Sequence, residues 1–137
     1  MKRLPLWSLA LSLGACSAVA VPGVGREFDL LIHTRVRVEG TPFFVAFDSV
    51  LEDSRCPSDV VCIQAGRAAV LVSVTYASGP DIVYALRFTD RPDSSTALVE
   101  GGGWFVDFIG LFPYPTVAAP PDPRTRVARL QVRLAAD

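Results

Sequence analysis

Four carboxylates crowd one short stretch of this 137-residue chain: Asp48, Glu52, Asp53 and Asp59, with Arg55 among them. Two carboxyls set about 5 to 10 Å apart across a cleft can cleave a glycosidic bond. Six or more oxygens gathered on a loop can hold calcium, in Asp-rich spacing such as that of the EF-hand. That spacing is missing from 48–59. The simpler chemistry is structural: Asp53 caps the loop through backbone N–H groups, and Arg55 pairs with a carboxylate. Asp53, Arg55 and Asp59 are therefore expected to form a loop or binding surface. A hydrolase or calcium-dependent enzyme using the acidic loop 48–59 is the alternative.

Nucleophilic catalysis would need a base beside a hydroxyl or thiol. His33 is the single histidine, and no Gly-x-Ser-x-Gly elbow occurs. The one lysine is Lys2. Gly101-Gly102-Gly103 is followed by neither a lysine nor a helical pattern, so it reads as a hairpin linker and not as a phosphate loop. No catalytic residue, metal site or cofactor is expected. Nucleic acid is also excluded as a partner. The formal net charge is −1, and the arginines are scattered, the tightest group being Arg124, Arg126, Arg129 and Arg133.

The three cysteines split into one and two. Cys56 and Cys62 lie six positions apart, and in an exported protein such a pair favours a disulfide. Zinc would want about four ligands, and thiol redox chemistry a CxxC at a helix start. Both remain as competing readings, with the disulfide expected.

Export is read from the leader. Lys2 and Arg3 precede an apolar run from Leu4 to Leu13, too short to span a bilayer of about 20 helical residues. The run ends in Leu13-Gly14-Ala15-Cys16, which closely resembles the bacterial lipobox. That resemblance implies a signal peptide over 1–15, cleavage before Cys16 and acylation of its sulfur. Multiple acyl chains satisfy the requirement for stable anchoring. The competing reading is an ordinary secretory signal cut after Ala20. Removing 1–15 leaves eleven arginines against fourteen acids. Residues 16–25, small and containing Pro22, Gly23 and Gly25, are expected to be a flexible tether. The expected location is the cell envelope, lipid-anchored, on the periplasmic face of the outer membrane if the cell is Gram-negative. The membrane is then one partner, and an envelope protein or a glycan another.

The elements that must position these residues are strands. Phe28, Leu30 and Ile32 alternate, Arg35 to Glu39 alternates strictly, and Gly40-Thr41-Pro42 turns the chain. Phe43 to Leu51 places Phe43, Val45 and Phe47 on one face, and Glu52 to Gln64 forms the cysteine loop. Gly66 to Tyr76 sets Val70, Val72 and Val74 in phase. Ser78-Gly79-Pro80-Asp81 turns it into Ile82 to Phe88, with Val83, Ala85 and Arg87 outward. A polar loop at 91–95 and a short strand at 97–99 follow. Trp104 to Leu111 is apolar except at Asp107, and Pro113-Tyr114-Pro115 stops it. After a proline-rich connection at 118–125, Val127 to Leu134 closes the domain, with Ala128, Leu130, Val132 and Leu134 facing the core. Among Trp104, Phe105, Phe108, Phe112 and Tyr114, Tyr114 is the expected exposed member. The fold class is all-β: a small antiparallel sandwich or partly open barrel of about seven to eight strands over 26–137.

The run Glu52-Asp53-Ser54-Arg55-Cys56-Pro57, the second cysteine at Cys62, the Ala65-Gly66 start of the next strand and Leu111-Phe112-Pro113-Tyr114-Pro115 resemble a family of small bacterial secreted and lipoprotein domains. The resemblance covers essentially the whole domain and implies its limits, its export and the disulfide. The family carries no activity to transfer. It usually has tryptophan two residues after the second cysteine, where this chain has Gln64. The expected function is accordingly a non-catalytic envelope lipoprotein acting as a binding or structural module.

Overall fold

The computed structural model describes residues 21–89, 95–99 and 102–135. The leader, Cys16 and most of the polar loop at 91–95 lie outside the described residues. Among the described residues eight strands form: β1 (Glu27–Leu31), β2 (Thr34–Arg37), β3 (Phe43–Asp53), β4 (Arg67–Tyr76), β5 (Asp81–Thr89), β6 (Ser95–Val99), β7 (Trp104–Phe112) and β8 (Val127–Leu134). A 3-10 turn at Pro123–Thr125 precedes β8.

The strands make two four-stranded antiparallel sheets, in the orders β1-β8-β7-β6 and β2-β3-β4-β5. The sheets pack as a sandwich and do not close into a barrel. Alternation explains the packing, because successive side chains of a strand point to opposite faces. Phe43, Val45 and Phe47 of β3 and Val70, Val72 and Val74 of β4 turn inward against Val106, Phe108, Leu130 and Val132 of the facing sheet, all buried. Each such side chain contributes about 1.5–3 kcal/mol on leaving water. Val83, Ala85 and Arg87 face outward as their phase requires.

Several details differ from the sequence reading, among them the start of β6 at Ser95 in place of Ala97. β3 extends past Leu51 to Asp53, because bulges between Phe47 and Ser49 and between Val50 and Glu52 let the ladder with β4 resume in a shifted register. Leu134 is exposed, as the terminal residue of β8. The last part of the expected tether is also docked. Gly23 bridges to Glu39 in parallel, and the Gly25 amide donates to the Val132 carbonyl at 2.7 Å.

The sandwich has two poles. At one lie the first described residues, the Gly40 turn, the β4–β5 turn and the end of β8. At the other lie the β1–β2 turn at Ile32 and His33, the cysteine loop, and the chain from Pro113 to the start of β8. His33 adopts φ +62° there.

Candidate functional site at the disulfide pole

Asp53 ends β3 and Arg126 immediately precedes β8, so the two facing sheets deliver opposite charges to one pole. Arg55 lies two residues beyond Asp53 and turns inward. Its Nε and Nη2 donate to Asp53 Oδ1 and Oδ2 at 2.7 and 2.9 Å, and its Nη1 donates to the Leu111 carbonyl at 2.6 Å. The Arg55 side chain is 1 % exposed. Arg126 Nη2 donates to Asp53 Oδ2 from the other side. Burial opposes ionisation of Asp53, but hydrogen bonds from Arg55 and Arg126 outweigh it and hold the carboxyl below its ordinary value. The Tyr114 ring covers Arg55, with its centroid 4.4 Å from the guanidinium carbon. One buried arginine thus ties together the ends of β3 and β7 and the Pro113–Pro115 turn.

The cysteine loop hangs from this clamp. Cys56 and Cys62 are joined by a disulfide, with Cα atoms 5.9 Å apart. At its neck the Ser54 amide donates to the Arg67 carbonyl at 2.8 Å. Gly66 is required beside it, because a Cβ there would lie 2.0 Å from the Ser54 carbonyl oxygen and 2.4 Å from Arg55 Cα. The far side is stitched to the Tyr114 segment. The Ser58 amide donates to the Pro115 carbonyl at 3.0 Å, and Asp59 accepts from the Val117 amide at 2.9 and 3.1 Å. Apolar side chains project from this braced loop beside the exposed Ser58, Asp59 and Gln64. Val61 and Ile63 are fully exposed, Val117 largely so and Val60 about half.

The four carboxylates do not converge. Asp53 serves the two buried arginines, Glu52 takes Arg67 Nε at 2.9 Å on each oxygen, and Asp59 holds the Val117 amide. Asp48 accepts from the Ser73 hydroxyl at 3.2 Å, while its Oδ2 is buried without a partner. Among the described residues, no three His, Cys, Asp or Glu side chains group as they would to hold a metal ion. The capping role expected of Asp53 belongs instead to Asp59. The β3 bulges carry Asp53 to the strand end facing the guanidiniums, and the loop brings Asp59 beside a free amide.

The expected surface of Asp53, Arg55, Asp59 and Tyr114 is thus one cluster in space, but layered. Arg55 and most of Asp53 form its floor, while Asp59 and Tyr114 reach solvent. Sequence reasoning missed Arg126, Val61 and Ile63. Arg126 belonged to the densest arginine group, but its neighbours Arg129 and Arg133 pair outward with Asp29 and Asp107, and spacing alone does not single out the buried one. Val61 and Ile63 on either side of Cys62 were the available signal: apolar residues in or beside a short disulfide loop have little to bury against.

Two hollows open nearby. One of about 840 Å³ runs between the edge strands β1 and β2, past Phe28, Leu30 and Val36. The other, of about 380 Å³, lies at the disulfide pole between His33, Val50, Pro121, Pro123, Arg124 and Arg126. Comparison with protein-family models, with curated proteins and with solved structures yields no match, so the reading of this pole rests on its own geometry.

Proposed function

We propose that the protein is a non-catalytic, lipid-anchored module of the bacterial cell envelope that binds a partner protein through its disulfide pole. The observation that carries this reading is the pair of fully exposed apolar side chains, Val61 and Ile63, on a loop braced by the Cys56–Cys62 disulfide. A loop held in one conformation loses little entropy on binding, and apolar anchors at its tip supply contact area. An apolar tip also favours a protein partner over a glycan. Anchoring through Cys16 follows from the lipobox-like leader, and the family resemblance of the cysteine motif supports export.

The alternative, a hydrolase or calcium-dependent enzyme of the acidic loop, is less favoured because its four carboxylates are committed to four different sets of partners. The test places a photo-crosslinking residue at position 63 in living cells and, as a control, at the exposed Val83 of β5. A discrete protein adduct formed from position 63 and absent from position 83 is expected. Equal labelling at both positions, or no adduct from 63, would defeat the reading.

A further inference from the structure

We propose that the cavity beside Arg126 is a binding site for a small carboxylate carrying a short apolar group. This site is independent of the apolar loop tip. Asp53 is one buried anion shared by two buried cations, Arg55 and Arg126, so the cluster carries one unbalanced positive charge. Burying such a charge without compensation is costly.

The imbalance can be assigned to one of the two arginines. Arg55 spends Nε and Nη2 on Asp53 and Nη1 on the Leu111 carbonyl. Arg126 gives Nη2 to Asp53, and its Nε is buried with no hydrogen-bond partner. Arg126 is only 5 % exposed, yet it lines the cavity of about 380 Å³. The surplus charge therefore sits on a guanidinium that borders this hollow and lacks a full set of partners. Among the described residues Asp53 is the one carboxylate lining it, and its oxygens are already engaged.

The walls narrow the ligand class. Ile32, Val50, Pro121 and Pro123 offer apolar surface, with His33 as a polar neighbour and Arg124, itself paired with Asp122 at 3.3 Å, as a second guanidinium at the rim. One surplus positive charge matches a monoanion, and a planar guanidinium matches a carboxylate. A phosphate dianion would bring a second negative charge beside Asp53 and against apolar walls. The apolar substituent of a carboxylate, in contrast, would lie on the prolines. A peptide C-terminus and a free organic acid present this same chemistry.

His33, as the chain's single histidine, gives an unambiguous reporter. Its ring signals would be followed by NMR in the full mature lipoprotein in detergent, during separate titrations with sodium propionate, an alanyl-alanine dipeptide, sodium phosphate and sodium chloride at matched ionic strength. Saturable shifts with propionate, the dipeptide or both are expected, and phosphate and chloride should give none. Response to the dipeptide alone identifies a peptide terminus as the source, and response to propionate alone a free acid. Arg126→Gln should abolish the response. Because that variant endangers the clamp, Arg124→Gln at the exposed rim provides the second test and should weaken binding about tenfold. Shifts that match those from chloride, saturation by phosphate only, or an affinity untouched by Arg124→Gln would each overturn the proposal.

Discussion

The sandwich and its disulfide pole treat polarity in opposite ways. Between the sheets, Phe47, Val72, Phe108 and Leu130 are buried, while Arg87, Arg129 and Arg133 face outward. Eight residues apart in the cysteine loop, Arg55 is buried and Ile63 stands in water. The contrast separates two jobs. Apolar burial supplies most of the folding free energy of the sandwich. At the pole a buried guanidinium does the holding, since it can reach a carboxylate, a carbonyl and an aromatic face at once. That leaves the apolar side chains of the loop outside, free to meet something else.

The largest expected effect strikes the clamp. Arg55→Ala would strand the Asp53 carboxylate and the Leu111 carbonyl and leave Tyr114 without its cation, costing about 3–5 kcal/mol in chemical denaturation. The outward pair Arg129–Asp29 is partly solvated, and Arg129→Ala should cost far less than Arg55→Ala. Near-equal losses would break the contrast between pole and sandwich. Opening the disulfide comes next. A Cys56→Ser, Cys62→Ser double variant should lose about 2 kcal/mol, because the closed loop is short.

Acid sharpens the same distinction. The folded-state carboxyl of Asp53 titrates below its unfolded value, so its contribution is full above the ordinary carboxylate range. It is lost as pH falls through the lowered folded value. Denaturation followed from neutral to strongly acid pH should therefore show a steeper acid decline in the native protein than in Asp53→Asn. Identical acid limbs would mean that the clamp does not depend on an ionised Asp53.

The strands were legible because alternation with period two is a local signal, and it placed Val70, Val72, Val74, Leu130 and Val132 in the core. The Cys56–Cys62 disulfide was legible from the spacing of the pair together with an expectation of export. What escaped depended on contacts far along the chain. Arg126 meets Asp53 across 73 positions, and Asp59 meets Val117 across 58. The bulges in β3 were equally hidden, since they depend on the register with β4 and not on β3 alone. The exposed aromatics Phe112 and Tyr114 are covered by Arg129 and Arg55 at 4.9 and 4.4 Å, a pairing that residue types permit but cannot assign.

Unfolding of a Val61→Ser, Ile63→Ser double variant beside the native protein, with the disulfide intact in both, examines the inverted pole without knowledge of any ligand. Side chains that contribute nothing to the fold should leave stability within about 0.5 kcal/mol of the native value. A loss of 2 kcal/mol or more would show that these residues pack against the protein, and the apolar binding tip would no longer stand.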